Sequence, residues 1–204
     1  MNAPVSHRKL QPGRLVLATH NNGKLVEMRE LLGPFKIDVV SAGELDLPEP
    51  DETGTTYRAN AEIKARAACE ATQLPALADD SGVAVDGLDG APGIYSARWA
   101  GPTKDFMIAM ERVQRELGSN PNRRAQFISC LALAWPDGHI EFFQAAWPGT
   151  LVWPPRGTRG FGFDPMFMPD GFDMTCGEMD PAVKNENSHR TQAFRKLVDA
   201  CLKG

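Results

Sequence analysis

The chain has 204 residues, of which 42% are hydrophobic and 24% are charged, and its 22 basic and 26 acidic side chains give a net charge of -4 at pH 7. This length is enough to bury a hydrophobic core, in one large domain or in two lobes, and this composition excludes a fibrous or disordered protein. The acidic balance argues against a nucleic-acid-binding protein, although a local basic cluster could still bind a small anion.

The N-terminal stretch MNAPVSHRKLQPGR has basic residues but no apolar run after them, so it does not have the pattern of a secretory signal. We interpret residues 1–13 as a flexible leader and residues 14–204 as a single two-lobed domain. No apolar run approaches about 18 residues, so we expect no membrane span. The four cysteines form no CxxC pair, which indicates reduced thiols in a cytoplasmic protein and gives no support for a zinc site.

Strands and helices alternate along the first half of the chain. The predicted strands are 14–19, 35–41, 76–79 and 82–88, and the predicted helices are 23–33 and 57–72. Residues 47–56, LPEPDETGTT, form a loop rich in acidic and turn-forming residues, which we call the acidic loop.

The second half contains a hairpin between two helices. The amphipathic helix 105–117 precedes it, a possible extra strand at 150–153 follows it, and a final helix covers 189–203. The hairpin joins 125–135 to 139–147 through the turn Pro-Asp-Gly. Alternating elements followed by a hairpin predict an α/β protein with a mixed sheet.

The first candidate site is THNNGK at residues 19–24, between a strand and a helix. The free N–H groups of a helix N-terminus, Gly23 and the charge of Lys24 together suit an anion such as phosphate. A helix start capped by asparagine has the same sequence, and the P-loop pattern is absent because there is one glycine and no GK[ST].

Two acidic stretches are candidates for a divalent cation. Glu49, Asp51 and Glu52 of the acidic loop precede a helix, where carboxylates also serve as favourable charges for the helix dipole. Asp79 and Asp80 in the motif DDSG follow an apolar strand, although DDSG can also be a simple turn. Because Mg²⁺ takes one or two carboxylates together with phosphate oxygens, two such loops could form its site.

The last two candidates are RGFGFDP at 159–165 and VKNENSHR at 183–190. The first is either a glycine-rich loop with core aromatics or an aromatic that stacks on a base, with Asp164 reading the edge of that base. The second is either a helix start or a basic loop in which Lys184 and Arg190 hold phosphate or a carbonyl oxygen. Taken together, the five candidates are the parts that a nucleoside triphosphate needs.

The order of these motifs resembles the inosine triphosphate pyrophosphatase family. The resemblance rests on LATHNNGK, ETGTTYRANAEIKA, ALADDSGVAVDGLDGAPGIYSARWAG, GFGFDPMF and NSHRTQAF, and it runs from about residue 14 to the C-terminus. It implies an elongated mixed β-sheet flanked by helices, in two lobes with a substrate cleft between them, usually as a homodimer. It also implies Mg²⁺-dependent hydrolysis of ITP, dITP and XTP to the monophosphate and pyrophosphate.

The resemblance also implies roles for individual residues. Asp80 would be the proton acceptor and a metal ligand, with Asp51 as the other ligand in preference to Glu52, and Phe163 would stack on the base. The substrate-binding residues would be Thr19, His20, Asn21, Asn22, Gly23, Lys24, Ser81, Phe161, Gly162, Phe163, Asp164, Lys184, His189 and Arg190.

Two positions depart from the family pattern, since His20 stands where glycine is frequent and Asp51 where glutamate is frequent. Both changes affect the expected affinity more than the reaction. A Maf-like pyrophosphatase acting on pyrimidine or modified nucleotides and a non-catalytic nucleotide-binding protein remain the alternatives. Because the acidic loop and the motif DDSG keep their carboxylates, the sequence favours the enzyme.

Overall fold

The computed structural model describes residues 7–203. The strands are β1 (Gly13–Leu17), β2 (Ile37–Ser41), β3 (Ala76–Val85), β4 (Arg124–Ala134), β5 (Ile140–Leu151) and β6 (Phe167–Pro169). The α-helices are α1 (Asn22–Leu32), α2 (Tyr57–Thr72), α3 (Ser96–Trp99), α4 (Phe106–Leu117), α5 (Pro181–Asn187) and α6 (His189–Leu197), and a π-helical turn (Val198–Leu202) continues α6. Short 3₁₀ turns occupy Gly33–Phe35, Asp86–Leu88, Gly93–Tyr95 and Asp164–Met166.

The described strands form one six-stranded sheet in the order β2-β1-β3-β4-β5-β6. Strand β1 pairs in parallel with both β2 and β3, whereas β5 and β6 are antiparallel. The mixed α/β sheet predicted from the sequence is therefore confirmed. Within residues 7–203, no helix is long and apolar enough to cross a membrane.

The chain divides into two compact units, each with its own core. The first unit runs to Asp80 and also includes Cys130–Gln144 and the residues from Ala193, and the second comprises Ser81–Ser129 and Ala145–Gln192. In the first, the small residues Ala61, Ala65 and Ala68 of α2 pack with strand residues such as Ala78 and Ala132. Larger side chains fill the second core, among them Met110, Val113, Phe127, Trp147, Met166 and Phe167.

Local signals explain where the helices that carry candidate residues begin. Asn21 caps α1 by accepting a hydrogen bond from the Lys24 amide, and Thr56 caps α2 by accepting one from the Ala59 amide. A side-chain oxygen at the N-cap satisfies one of the amides that a helix start leaves open. The predicted helix 57–72 matches α2 residue for residue.

Two strand predictions are wrong. Residues 76–79 and 82–88 are not separate strands around a turn, because β3 runs without a break from Ala76 to Val85. The carboxylates of Asp79 and Asp80 are tolerated inside the strand because each has a lysine partner. The predicted strand at 150–153 is instead the end of β5, which reaches Leu151.

Residues 7–12 of the predicted flexible leader are held by contacts within the first unit. The backbone N–H of Leu10 donates to the carbonyl of Cys201 at 2.9 Å, and the side chain of Leu10 is buried. His7 Nδ1 lies 2.9 Å from Glu141 Oε2. The flexibility of the leader stays a prediction, and its residues 1–6 lie outside the described chain.

Candidate active site

Asp79 pairs with the lysine at the start of α1. Its side chain is buried, and its Oδ2 lies 2.9 Å from Lys24 Nζ. Lys24 also donates to the backbone carbonyl of Asp79 at 3.2 Å. The partner of Asp79 is therefore the lysine of the THNNGK motif.

Asp80 pairs with a different lysine, Lys64 of α2. Lys64 Nζ lies 2.8 Å from Asp80 Oδ1 and 2.6 Å from Glu52 Oε1, so one ammonium group bridges two carboxylates. We call Lys24, Glu52, Lys64, Asp79 and Asp80 the carboxylate–lysine cluster. All five residues belong to the first unit.

Sequence reasoning missed Lys64, although the sequence contains a usable signal. Lys64 lies on the buried stripe of α2 that also holds Asn60, Ala61, Ala65 and Ala68. A lysine on such a stripe must have a charged partner, because an isolated buried ammonium group is too costly. A lysine at this position therefore predicts a carboxylate partner in a neighbouring loop or strand.

Burial and charge act against each other in this cluster. Burial raises the pKa of Asp80 above its usual value, and the attraction of Lys64 offsets this only in part. For Lys64, burial lowers the pKa, but the charges of Asp80 and Glu52 outweigh it and the net shift is upward. Lys64 thus remains a cation at neutral pH, and Asp80 is a more basic carboxylate than an exposed one.

The structure places Glu52, and not the predicted Asp51, in contact with this cluster. Asp51 is exposed, and its carbonyl accepts a hydrogen bond from the Thr53 amide at 3.1 Å. Consecutive residues of an extended loop point in different directions, so the motif PDET cannot by itself identify which carboxylate faces inward. The preference for Asp51 over Glu52 as a metal ligand stays a prediction, and Glu52 is the one of the two whose contact with Lys64 the structure shows.

The structure of THNNGK at residues 19–24 is compatible both with an anion site and with a simple capped helix start. The Asn21 amide donates to Thr19 Oγ1 at 3.1 Å, and Asn21 Oδ1 accepts from the Lys24 amide at 3.1 Å, as expected for a capped helix. Asn22 and Gly23 begin α1, and His20 Nε2 lies 2.9 Å from the carbonyl of Leu47. His20, Asn21 and Asn22 are exposed, so an anion can approach the amides of this helix start.

A second group of candidates lies in the second unit, around Phe161. The Phe161 ring has Lys184 Nζ 4.6 Å and the Arg190 guanidinium 5.8 Å from its centroid, within the range of cation–π contacts. Lys184 Nζ also lies 2.6 Å from Asp164 Oδ2, and Arg190 Nη2 donates to Ser81 Oγ at 3.3 Å. We call Phe161, Asp164, Lys184, His189 and Arg190 the aromatic–basic cluster.

Asp164 and Lys184 are each other's partners inside this cluster. Asp164 Oδ2 also accepts from the Phe161 amide at 2.7 Å, which ties the turn GFGFDP to the lysine. The turn needs glycine at Gly160, where φ is +76° and an added Cβ would lie 2.0 Å from Asp164 Oδ2. Gly162 follows with φ +69°, so both glycines adopt a conformation that other residues disfavour.

The structure buries Phe163, and its stacking on the base stays a prediction. Phe163 is 5% exposed and packs edge-to-face on Phe106 at 5.6 Å in the core of the second unit. Phe161 is 38% exposed and is therefore the aromatic of this motif that a ligand can reach. His189 is buried, with its ring 5.2 Å from that of Phe127.

Asp80 offers one feature that a divalent cation would use. Its Oδ2 is buried and makes no hydrogen bond within residues 7–203, while Oδ1 is taken by Lys64. Glu52 supplies a second carboxylate on the same lysine. Within the described chain, no three His, Cys, Asp or Glu side chains are grouped closely enough to hold a metal by themselves. Mg²⁺ commonly takes only one or two protein carboxylates, together with phosphate oxygens.

The comparison with known proteins identifies the family. The model of the Ham1 family matches residues 15–200. The chain belongs to the Ham1 family. It is 60% identical over 209 residues to a dITP/XTP pyrophosphatase from Bradyrhizobium sp., with 97% of each chain covered. A dITP/XTP pyrophosphatase from Rhodopseudomonas palustris is 59% identical and covers 97% of this chain and 100% of its own.

Solved Ham1 structures support the same conclusion. The Ham1 protein of Staphylococcus aureus superposes with a TM-score of 0.82 at 33% identity, covering 90% of this chain and 95% of its own. A HAM1 protein from Coxiella burnetii gives a TM-score of 0.82 at 38% identity, covering 91% and 96%. The resemblance drawn from the sequence motifs is therefore confirmed for both family and fold.

Proposed function

We propose that this Ham1 protein hydrolyses non-standard purine nucleoside triphosphates, namely ITP, dITP and XTP, to the monophosphate and pyrophosphate. The observation that carries this proposal is a buried carboxylate–lysine cluster in a chain 60% identical, over nearly its whole length, to a dITP/XTP pyrophosphatase. The same similarity favours this activity over a Maf-like pyrophosphatase. An enzyme that releases pyrophosphate must bind a triphosphate and activate water, and the cluster has groups for both tasks.

The triphosphate is assigned to Lys24, Lys64 and the start of α1. Phosphoryl transfer depends mainly on positioning and on neutralising charge, so lysines and free helix amides are suitable groups. Lys24 is 17% exposed and lies in the first turn of α1, where the amides and the helix dipole favour an anion. Lys64 is more deeply buried and contacts the carboxylates of Glu52 and Asp80, whereas Lys24 contacts that of Asp79.

Asp80 is assigned as the proton acceptor for the attacking water. The water oxygen forms a bond to the α-phosphorus, the bond from that phosphorus to the bridging oxygen breaks, and pyrophosphate leaves. The raised pKa of Asp80, which burial causes, makes this carboxylate a better base than an exposed aspartate.

We propose Mg²⁺ as the cofactor, held by Asp80 and Glu52. This choice follows from the second carboxylate on Lys64 and from the open Oδ2 of Asp80. When bound, Mg²⁺ would supply Lewis-acid neutralisation of phosphate charge. Asp51, the ligand expected from the sequence, is exposed, and we rank it after Glu52.

The purine base is assigned to the aromatic–basic cluster, with Phe161 as the stacking surface. Arg190 and His189 are the candidate donors to the 6-carbonyl of hypoxanthine and xanthine, a position where adenine has an amino group. A buried donor left without an acceptor costs about 1–3 kcal/mol, so adenine should bind less well. Guanine also carries the 6-carbonyl, so these donors do not explain discrimination against GTP. The substrate cleft between the two lobes stays a prediction.

The test is pyrophosphate release from a panel of dITP, XTP, ITP, ATP and GTP, with and without Mg²⁺. We expect Mg²⁺-dependent release of pyrophosphate, and not of single phosphate, from the first three and little from ATP. Asp80→Asn should lower kcat by at least about 100-fold, because a positioned general base contributes 10²–10⁴-fold.

Tight ITP binding without hydrolysis would instead identify a non-catalytic nucleotide-binding protein. Near-normal turnover of Asp80→Asn at saturating Mg²⁺ would remove Asp80 from the reaction.

We also propose a cytoplasmic homodimer. Four buried free cysteines support a reducing compartment, and the exposed Met107 and Ile108 of α4 support a contact with a second copy. Light scattering of the purified chain measures the oligomeric state directly, and a monomer at micromolar concentration would contradict the dimer.

A further inference from the structure

Asn60 is a fully buried amide that none of the sequence motifs explains. Its relative exposure is 0%, and it lies on the buried stripe of α2 one turn before Lys64. Its Nδ2 makes no hydrogen bond within residues 7–203. A buried amide with one unsatisfied end is less favourable than alanine or leucine in an alanine-rich core, so its other end needs a specific use.

That use is a hydrogen bond to the acidic loop. The Gly54 amide donates to Asn60 Oδ1 at 2.9 Å, and this donor fixes which end of the Asn60 amide faces the loop. The loop lies directly on the first turn of α2, because a Cβ at position 54 would be 2.6 Å from Asn60 Oδ1 and 2.7 Å from Ala59 Cβ. Only glycine allows so close an approach.

The same contact determines where Glu52 lies. Glu52 precedes Gly54 by two residues, and its Oε1 reaches Lys64 Nζ at 2.6 Å. Residues four apart on a helix lie on the same face, so Asn60 and Lys64 form two successive contacts between α2 and the acidic loop. If the first contact is lost, the loop can move and Glu52 loses its fixed distance to Lys64.

We propose that Asn60 is a positioning residue, which holds the acidic loop to α2 through Gly54 and so keeps Glu52 where it shares Lys64 with Asp80. Asn60 acts on the reacting groups through Gly54 and Glu52. The kinetic arm of its test rests on the proposed pyrophosphatase activity, and the structural arm does not.

The structural arm measures hydrogen exchange of the Gly54 amide by NMR. We expect protection in the wild type, loss of protection in Asn60→Ala, and protection in Asn60→Asp, because aspartate keeps an oxygen at the position of Oδ1. The kinetic arm measures kcat and KM for dITP with Mg²⁺. In Asn60→Ala we expect kcat to fall roughly 10- to 100-fold with KM nearly unchanged, since a shift of about 1 Å in a reacting group costs on this order.

Gly54→Ala perturbs the same contact from the loop side. We expect it to lower kcat to a similar extent as Asn60→Ala, and the double variant should be much less impaired than the product of the two single effects. Thr56→Ala is the matched control. It removes the cap of α2 beside the same loop, so it should lower the melting temperature while Gly54 protection and kcat stay near wild type.

Several results would overturn the proposal. A Gly54 amide that exchanges equally fast in the wild type and Asn60→Ala would show that the contact does not hold the loop. Asn60→Ala with kcat within twofold of wild type would restrict Asn60 to a structural role. If Asn60→Ala does not fold, amide exchange and kcat of Gly54→Ala and Asn60→Asp test the proposal in its place. If the wild type releases no pyrophosphate, the proposed function fails and the exchange data still judge the contact.

Discussion

Neighbouring aspartates in the middle of a buried strand are stable here because each has its own cation. Asp79 is paired with Lys24 and Asp80 with Lys64, and both lysines also donate to the carbonyl of Asp79 at 3.2 Å. Removing one lysine would leave a buried carboxylate without compensation, which is strongly destabilising. At the scale of single residues, the two carboxylates of the motif DDSG therefore depend for their stability on two lysines that lie 55 and 16 residues away in the sequence.

Tyr57 provides a stability prediction at this scale. Its Oη is buried and makes no hydrogen bond within the described residues, and burial, with a smaller effect of the charge on Asp80, raises the pKa of Tyr57. Tyr57→Phe removes an unsatisfied polar group and keeps the ring, so the free energy of unfolding should rise by about 1 kcal/mol. Urea unfolding at pH 7.5 measures the change.

Tyr95→Phe is the control for Tyr57→Phe, because the Tyr95 side chain is 47% exposed and its substitution should leave the unfolding midpoint in place. A clear loss of stability in Tyr57→Phe would mean that the hydroxyl has a partner in solution, such as a bound water.

Two pairs of neighbouring residues could not be told apart from the sequence, for one physical reason. Phe161 and Phe163 are separated by one glycine, and Asp51 and Glu52 are adjacent, so the motif alone gives both members of each pair equal weight. In the structure the members of each pair differ in burial and contacts, since Phe163 is part of a core and Glu52 reaches Lys64. Residue types and spacing could predict the chemistry of the site, but only tertiary packing could assign which neighbour faces it.

At the scale of elements, the end of β2 is tied to α1 by Glu44. The Glu44 carboxylate accepts from Arg29 Nη2 at 2.7 Å and from the Ser41 amide at 2.8 Å. These hydrogen bonds, that of Arg29 first, lower the pKa of Glu44 from 4.5 to about 2. Because the folded state binds fewer protons than the unfolded chain between these values, stability rises with pH across this window.

Glu44→Gln tests this tie between β2 and α1. The stability advantage of the wild type over the variant should be complete above pH 4.5 and should decline as the pH falls toward about 2. Urea unfolding midpoints from pH 7 to pH 2 give the difference at each pH. Glu30→Gln, an exposed carboxylate on the same helix, should follow the wild-type profile, and a pH-independent difference for Glu44→Gln would contradict the assignment.

Elements with strong local signals were predictable, and elements that depend on distant partners were not. The predicted bounds of the alanine-rich helix 57–72 match the structure, because the cap, the composition and the periodicity all indicate the same helix. The sequence prediction divided β3 into two strands, because DDSG has the composition of a turn. Its continuity depends on Lys24 and Lys64, which no local window around residue 80 contains.

At the scale of the whole molecule, the cysteines report on folding in both units. Cys69, Cys130, Cys176 and Cys201 are all buried and free. Burial is the largest cause that raises the pKa of Cys130 to about 11, and of Cys176 and Cys201 to about 12. At pH 7.5 these thiols are almost entirely neutral and therefore poor nucleophiles.

We expect iodoacetamide at pH 7.5 to leave all four cysteines unmodified in the folded protein. As urea is raised, mass spectrometry should show modification of Cys176 in the second unit and of Cys130 and Cys201 in the first. Equal midpoints for the three sites mean that the units unfold together, and separate midpoints mean that they do not. Rapid alkylation of any of them in buffer alone would contradict the burial that raises their pKa values.

The carboxylate–lysine cluster has a consequence for which ligands it can retain. With all five groups ionised, two lysines and three carboxylates leave one net negative charge, so the cluster already contains its own counter-ions. A bare anion must break internal ion pairs to reach the lysines, and a bare cation must compete with those lysines for the carboxylates. A ligand that brings both charges at once can exchange partners with the whole cluster. We therefore expect the cluster to bind a metal–triphosphate in preference to any single ion, and to bind less tightly a product that carries less charge.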